Sequence, residues 1–243
     1  MLSFWSFRRA NLVALLLGIA PLGWSQGTYT STFPLTENPI SEGGHWINGA
    51  TVGLDWQNVQ TSSGRAYGTQ TGSSGQFDDS VAVLTGTWGP DQTVEGMAFT
   101  RNDGIGVGNE EVEIRLRTSV SPHVCTGYEI NFSTAKGSST ASYIQIVRWN
   151  GALGDFTYLN AIGGILYGVS NGDVLKATIT GTSPAIITAY LNGRPVLQAT
   201  DPNPFTSGSP GIGFWNSSGL QSVNSDYGFR NFFATDQPVV PSK

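Results

Sequence analysis

The stretch DVLKATITGTSPAIITAYLNGRPVLQATD, residues 173–201, decides the fold class of this 243-residue chain, because it contains three consecutive strand-like segments. In the first segment Leu175, Ala177 and Ile179 alternate with polar residues, which is the period of a strand that buries one face. Asn192-Gly193 separates the other two segments, 185–191 and 195–201. This dipeptide favours a type I′ hairpin turn, whose two central residues both need positive φ. The stretch therefore predicts antiparallel sheet.

The same kind of segment recurs along the chain about every 10–15 residues, and no helical period interrupts the series. A second, longer hairpin is predicted around 149–156. The apolar faces, such as Val112, Ile114 and Leu116, predict two antiparallel sheets packed as an all-β sandwich or jelly roll. The further predicted strands are 80–84, 93–101, 110–120, 127–133, 142–149, 156–159, 211–215 and 227–236.

The two ends of the chain differ from this pattern. Arg8 and Arg9 precede a short apolar run, and the small residues Gly23 and Ser25 precede Gln26, which is typical of a secretory signal peptide over residues 1–25. We therefore expect a protein secreted to the extracellular space or periplasm, with no later membrane span. One jelly-roll domain is expected over 26–236, followed by a proline-containing tail over 237–243.

Composition excludes several classes of function. The net charge of −5 argues against nucleic acid, whose phosphates require a basic face. The single cysteine excludes an internal disulfide, and two histidines with one cysteine make a poor transition-metal site. The candidate oxygen donors for a structural calcium are Asp78, Asp79, Asp226 and Asp236.

The last third of the chain carries a family resemblance. The segments that resemble the closing strands of the concanavalin A-like lectin/glucanase superfamily, which includes laminin-G-like modules, are DVLKATITG (173–181), AIITAYLNGRPVLQATD (185–201), SGSPGIGFWN (207–216) and DYGFRNFFATD (226–236). The resemblance implies a jelly roll with its ligand on the concave sheet. Lectins, glycosidases and lyases share this fold, so the resemblance alone does not choose an activity.

The segment EEVEIRLR (110–117) places Glu111, Glu113, Arg115 and Arg117 on the face opposite its apolar residues. Glucanases of this superfamily carry Glu-x-Asp-x-Glu on one concave strand and use two of these acids for retaining hydrolysis. An arginine occupies the third position here, which argues against the glucanase reaction. The alternative is that the four charges form cross-strand ion pairs on a solvated face.

The segment SYIQIVRW (142–149) buries Ile144 and Ile146 and turns Tyr143, Gln145 and Val147 the other way. Jelly-roll alginate lyases carry Gln-Ile-His, so the resemblance implies that Gln145, with Arg115 or Arg117, would neutralise a substrate carboxylate. Valine replaces the histidine in this chain, so a base would have to come from another residue. The candidate bases are His45, His123, Tyr143 and Tyr227.

Aromatic residues near turns and strand ends supply a second signal, because indole and phenol rings stack on the apolar faces of sugars. They are Trp46, Trp56, Tyr67, Trp88, Trp149 and Trp215. The alternative for each of them is a structural role in the core or over a turn. The predicted ligand-binding set is Glu113, Arg115, Arg117, Tyr143, Gln145 and Trp149.

The sequence therefore predicts a secreted, lectin-like protein whose partner is a polysaccharide or glycan. One alternative is a polysaccharide lyase or glycoside hydrolase that uses the same groove, and another is a structural or adhesive extracellular protein. The face assignment further predicts that Arg117→Ala or Gln145→Ala weakens ligand binding at least tenfold and leaves folding intact, since exposed polar truncations rarely cost more than about 0.5 kcal/mol.

Overall fold

A computed structural model describes residues 27–71, 77, 79–101, 110–138, 140–217 and 223–238. The predicted signal peptide lies outside the described residues, as do Asp78 and most of the predicted tail. No helix in the described part of the chain is long and apolar enough to cross a membrane.

The described residues form sixteen strands and two short 3-10 helices. The strands are β1 (Thr28–Ser31), β2 (Trp46–Asn48), β3 (Val59–Thr61), β4 (Ala66–Gly68), β5 (Ser80–Leu84), β6 (Gln92–Thr100), β7 (Glu110–Ser121), β8 (Val124–Ser133), β9 (Tyr143–Gly151), β10 (Phe156–Gly163), β11 (Val174–Thr180), β12 (Ala185–Leu191), β13 (Arg194–Asp201), β14 (Ser209–Asn216), β15 (Tyr227–Phe229) and β16 (Phe232–Thr235).

The strands form two antiparallel sheets, as the sequence predicts. In the described residues, sheet I has the order β13-β12-β11-β6-β15-β4-β3, with β16 also paired to β6 and β1 paired to β16. Sheet II has the order β10-β9-β8-β7-β14-β5-β2. Strands that follow one another in the chain, such as β7, β8, β9 and β10, lie side by side. In contrast, β14 is far from β7 and β5 in the sequence but pairs with both of them. The architecture is an all-β jelly-roll sandwich.

The core lies between the sheets and contains the alternating apolar residues that define the strands. Val112, Ile114, Ile144 and Ile146 of sheet II are fully buried in it with Leu175 and its neighbours from sheet I. Burial of that many apolar side chains is the main source of stability for a sandwich of this size. The opposite side of sheet II carries a second, smaller apolar cluster that includes Trp56, Val147 and Trp149.

Both predicted hairpins are present. Asn192 (φ 50°) and Gly193 (φ 77°) connect β12 to β13 with positive φ at both positions. The longer hairpin connects β9 to β10. The single strand predicted over 227–236 is wrong, because Arg230 and Asn231 interrupt it and the Asn231 side chain accepts a hydrogen bond from the Met97 amide at 2.7 Å.

The predicted position of Arg117 is also wrong, because a β-bulge breaks the alternation of β7. The pairing of β7 with β8 shifts register between Leu116 and Ser119, and Arg117 adopts φ 46°. A bulge reverses which face the following side chains occupy. Arg117 is therefore directed to the backbone carbonyls of Pro90, Gly181 and Phe205 instead of sharing a surface with Arg115.

Candidate functional site

A pocket of about 620 Å³ lies on the outer face of sheet II, the side away from the core. Four neighbouring strands of this sheet, β14, β7, β8 and β9, supply most of its floor. One part of the lining is aromatic and consists of Phe77, Trp149, Phe156, Tyr158 and Trp215. Apart from Val147, the rest of the lining is polar and consists of Asp79, Glu111, Glu129, Asn131, Tyr143, Gln145 and Ser217.

Strand register places the polar side chains in rows across the sheet. Glu113 on β7 lies opposite Asn131 on β8, and Asn131 lies opposite Gln145 on β9. The next row pairs Arg115 with Glu129. Directly paired residues on one face have Cβ atoms about 5 Å apart, so each row brings its side chains into contact.

A buried ion cluster of Asp79, Glu113, Arg115 and Glu129 lies beneath and beside the pocket. Arg115 and Glu113 are both 0% exposed. The Arg115 guanidinium forms ion pairs with Glu113 and Glu129, and its Nη2 lies 3.3 Å from Oδ2 of Asp79. The expectation that these charges form a solvated ladder is therefore wrong.

Two neighbours make space for this cluster and close it from solvent. Gly213 on β14 lies opposite Glu113, and a Cβ atom there would lie only 2.1 Å from the Glu113 carboxylate. Trp56 covers the Arg115 guanidinium at 4.9 Å from its ring centroid, a cation–π contact. A glycine and an indole ring thus allow four charged groups to pack on one face of a sheet.

Burial raises the pKa values of the acids. The pKa of Asp79 lies well above its usual range because of burial and the nearby Glu129 carboxylate. Burial also raises the pKa of Glu113, although Arg115 opposes the shift. For Glu111, burial raises the pKa to about 8, although hydrogen bonds from Tyr143 and Asn131 favour the ionised form.

These shifts predict that the folded protein becomes less stable as pH rises from about 5 to 9. A raised pKa means that the folded state holds its proton more tightly than the unfolded state, so the stabilisation is complete below about pH 4.5 and is lost as pH rises through 8. We expect Glu111 alone to contribute at least about 2 kcal/mol to this loss, or roughly 4–8 °C in the melting temperature.

Thermal melts of wild type and Glu111→Gln across this pH range measure the effect. Glutamine keeps the shape of the side chain but does not titrate, so its melting temperature should fall less between pH 5 and 9. Equal pH slopes for the two proteins would contradict the assignment to Glu111.

A hydrogen-bond network fixes the polar part of the pocket. Tyr143 donates its hydroxyl to Glu111, and the Asn131 amide donates to Glu111 at 3.0 Å and to Gln145 Oε1 at 3.4 Å. Burial, followed by the charge of Glu111, raises the pKa of Tyr143. The Tyr143 hydroxyl is therefore a hydrogen-bond donor, and both effects oppose its use as a general base.

The aromatic part of the pocket is a chain of rings in contact. Trp149 packs against Trp56 at 4.5 Å and Phe156 at 5.1 Å between ring centroids, and Phe156 contacts Tyr158 at 5.2 Å. Trp149 also donates its indole N–H to Glu129 at 2.6 Å, which connects the aromatic part to the ion cluster. Tyr158 is 56% exposed and so presents its ring to solvent.

No protein-family model matches the chain, and no curated protein matches it either. Solved structures do resemble it. The carbohydrate-binding module CBM66 from Bacillus subtilis is 17% identical with a TM-score of 0.50, over 79% of this chain and 91% of the module. The carbohydrate recognition domain of Emp46p, in its potassium-bound form, is 14% identical with a TM-score of 0.56, over 86% of this chain and 95% of that domain. A β-glucanase from Bacillus licheniformis is 15% identical with a TM-score of 0.50, over 87% of this chain and 95% of the glucanase.

The chain has the concanavalin A-like jelly-roll fold. The likeness in fold agrees with the resemblance read from residues 172–236, where β11 to β16 form the closing strands. At these identities the comparison extends to the fold and not to individual site residues.

Within this jelly roll, the sequence-predicted site residues separate into three groups. Tyr143, Gln145 and Trp149 line the pocket. Glu113 and Arg115 lie on the same face but are fully buried, so they support the pocket instead of forming its surface. Arg117 lies outside the pocket lining, because the β-bulge that follows Leu116 turns its side chain away from this face.

The candidate bases other than Tyr143 lie away from Gln145 in the jelly roll. His123 lies in the turn between β7 and β8, and its Nδ1 forms a hydrogen bond of 2.8 Å with Oδ1 of Asp55. His45 contacts the Tyr29 ring at the edge of sheet I, and Tyr227 is buried with its hydroxyl 3.2 Å from Gln70. The base that a lyase needs is therefore not supplied by these three residues.

Sequence reasoning missed several pocket residues, including Glu129, Asn131, Phe156 and Tyr158. Strand parity carries a signal for two of them. Tyr128, Ile130 and Phe132 are buried in the core, so Glu129 and Asn131 must lie on the opposite face. The aromatic pair on β10 gives no such signal, because the burial of this strand does not alternate.

Three of the buried acids, Asp79, Glu113 and Glu129, form a candidate metal site, but the guanidinium of Arg115 lies among them. Oxygens of Asp79, Glu113 and Glu129 lie within 4.8 Å of one another. Calcium takes six to eight oxygen ligands, whereas here the guanidinium nitrogens contact all three carboxylates. The residues therefore fit calcium poorly. Among the described residues, Asp226 instead pairs with Arg101, and Asp236 accepts the backbone amides of Gly27 and Gly89.

Proposed function

We propose that this protein is a secreted, lectin-like carbohydrate-binding protein, and that its glycan site is the pocket on the outer face of sheet II. The observation that carries the proposal is the pairing, in one pocket, of an aromatic wall with a hydrogen-bonded row of acids and amides. Sugars have apolar C–H faces and hydroxyl edges, so a site that holds them needs both kinds of surface.

The polar side chains of the pocket are held in fixed positions, and this supports a role in binding. Asn131 fixes the Gln145 amide, and Trp149 and Arg115 fix the Glu129 carboxylate. Groups held in place before the ligand arrives lose little conformational freedom on binding, which favours affinity. The names of two similar structures, a carbohydrate-binding module and a carbohydrate recognition domain, agree with the proposal.

Export follows from the predicted signal peptide and is part of the same proposal, because extracellular polysaccharides are available only to an exported protein. In this proposal the Arg115 guanidinium supplies the positive charge that holds the buried carboxylates together, so a structural calcium is not needed for this purpose.

Tyr158→Ala is the sharpest test of the aromatic wall. Because Tyr158 is 56% exposed, its removal should leave the melting temperature within about 2 °C of wild type. Loss of one stacking ring should weaken glycan binding about tenfold, measured by calorimetric titration against a panel of neutral and acidic polysaccharides. The matched control is Tyr190→Ala, since Tyr190 contacts Lys176 on β11 of sheet I.

The same panel tests the alternatives. Silence against every glycan from a folded protein would contradict the proposal and favour the structural or adhesive role. New reducing ends would favour a hydrolase, for which the buried Glu111, with its pKa of about 8, is the candidate acid. Ultraviolet absorbance from uronate polymers would favour a lyase.

A further inference from the structure

The charged side chains in the described lining of the pocket are all acidic: Asp79, Glu111 and Glu129. The arginine nearest to them, Arg115, is fully buried, and its guanidinium is directed to Asp79, Glu113 and Glu129. Its charge is therefore already paired below the surface. A ligand that enters the pocket meets carboxylates without meeting a cation.

Hydrogen-bonding capacity points the same way. An ionised carboxylate only accepts hydrogen bonds. Glu129, which is paired with the Arg115 guanidinium, therefore accepts from donors of a ligand, and Glu111 does the same at a pH above its pKa of about 8. Gln145 differs from them, because Asn131 donates to its Oε1 and so orients the amide with the Nε2 hydrogens free to donate. Asn131 itself is held by its second bond, to Glu111. Among its acids and amides the described lining thus offers mainly acceptors, with one fixed amide donor at Gln145.

From these observations we infer that the pocket selects neutral sugars and discriminates against uronic acids. A sugar hydroxyl both donates and accepts, so it satisfies an acidic group and the Gln145 donor at once. A uronate carboxylate accepts only. Beside Glu129, and beside Glu111 at a pH above its pKa of about 8, it would place like charges together in a partly desolvated site. The inference rests on the proposed glycan-binding function and names the class of glycan.

The inference opposes the lyase hypothesis from the sequence, in which an arginine and Gln145 neutralise a substrate carboxylate. That hypothesis requires a guanidinium at the pocket surface. Arg115 lies beneath the surface and Arg117 binds backbone carbonyls elsewhere, so neither is available for this purpose.

The test compares two forms of one polymer. A neutral polysaccharide that binds in the panel is oxidised at its primary hydroxyls to carboxylates, which changes the charge and keeps the backbone. We expect the oxidised form to bind at least tenfold more weakly at about pH 9, above the pKa of Glu111, and at low salt, with part of the loss recovered at high salt because salt screens the repulsion. In Glu111→Gln this ratio should shrink at least threefold.

Gln145→Glu tests the donor directly. It removes the only fixed amide donor identified in the described lining and adds a charge, so binding of the neutral polymer should fall at least tenfold. Gln198→Glu is the matched control, because it adds the same charge on β13 of sheet I. If Gln145→Glu does not fold, Gln145→Ala removes the donor without the charge and should also lose tenfold.

The outcomes separate the inference from the function on which it rests. No binding of either polymer form would overturn the proposed function, and the inference with it. Equal or tighter binding of the oxidised form would overturn the inference and leave carbohydrate binding intact. Wild-type affinity of both Gln145 variants for the neutral polymer would remove Gln145 from the recognition.

Discussion

Arg115→Met should destabilise the folded protein by about 3–5 kcal/mol, the largest effect that we expect from a single substitution in this fold. Arg115 is the partner that Asp79, Glu113 and Glu129 share, and its removal leaves buried carboxylates without a compensating charge. Methionine retains most of the apolar volume of the side chain, so the loss reports on charge more than on packing. Denaturant unfolding at pH 8 measures it.

The control is Arg101→Met, because Arg101 also pairs with a carboxylate, Asp226, but is 58% exposed. An exposed pair of this kind is worth at most about 1 kcal/mol. The destabilisation by Arg115→Met should also shrink at pH 5, since the buried acids can then take up protons in place of the lost guanidinium. Adding Glu113→Gln should recover part of the stability. A cost no larger than that of the control would contradict the shared-cation arrangement.

Much of the sandwich could be predicted from the sequence, because its strands follow simple alternation. Leu175, Ala177 and Ile179 are buried in the core as predicted, and Asn192-Gly193 forms the expected turn. Such patterns are local, because the alternation within one strand indicates which of its own residues face the core. The short strands β1 to β4 were missed, because three or four residues are too few to show a period.

The candidate site could be predicted only in part, for reasons that lie outside any single strand. Parity assigned Tyr143 and Gln145 to the outer face of sheet II, and both line the pocket. Parity does not report what covers a face, so the burial of Arg115 beneath Trp56 could not be read from EEVEIRLR. The space for this cluster comes from Gly213, which is 98 residues further along the chain than Arg115.

The β-bulge in β7 is the second reason why the site could be predicted only in part, and it affects the position of Arg117. The register of β7 shifts after Leu116, where Gly127 and Gly208 allow the backbones of β8 and the loop before β14 to approach Arg117 closely. A Cβ atom on either glycine would lie within 2.6 Å of the Arg117 backbone. No feature of residues 110–120 alone indicates this contact, so the alternation appears unbroken in the sequence.

We expect Arg117→Ala to destabilise the fold by about 2–4 kcal/mol and to leave glycan affinity unchanged, which is the reverse of what the alternation predicts. The guanidinium donates to the carbonyls of Pro90, Phe205 and Gly181, with the last two at 2.8 Å, so it joins three separate segments. Its removal leaves these acceptors without their donor, and hydrogen bonds from charged groups are worth about 1.5–3 kcal/mol each.

Denaturant unfolding and calorimetric titration on the same samples separate the two accounts of Arg117. The control is Arg194→Ala, because Arg194 begins β13 as an exposed residue and its loss should cost less than about 0.5 kcal/mol. Arg117→Lys should be intermediate, since an ammonium cannot reproduce the planar fork that reaches several carbonyls. Full stability with tenfold weaker binding in Arg117→Ala would restore the original placement of Arg117 on the ligand face. The bulge predicts instead that a folded Arg117→Ala protein binds as wild type, because the pocket residues of β7 and β8, which are Glu111, Glu129 and Asn131, lie in the regularly paired part of these strands before the register shift.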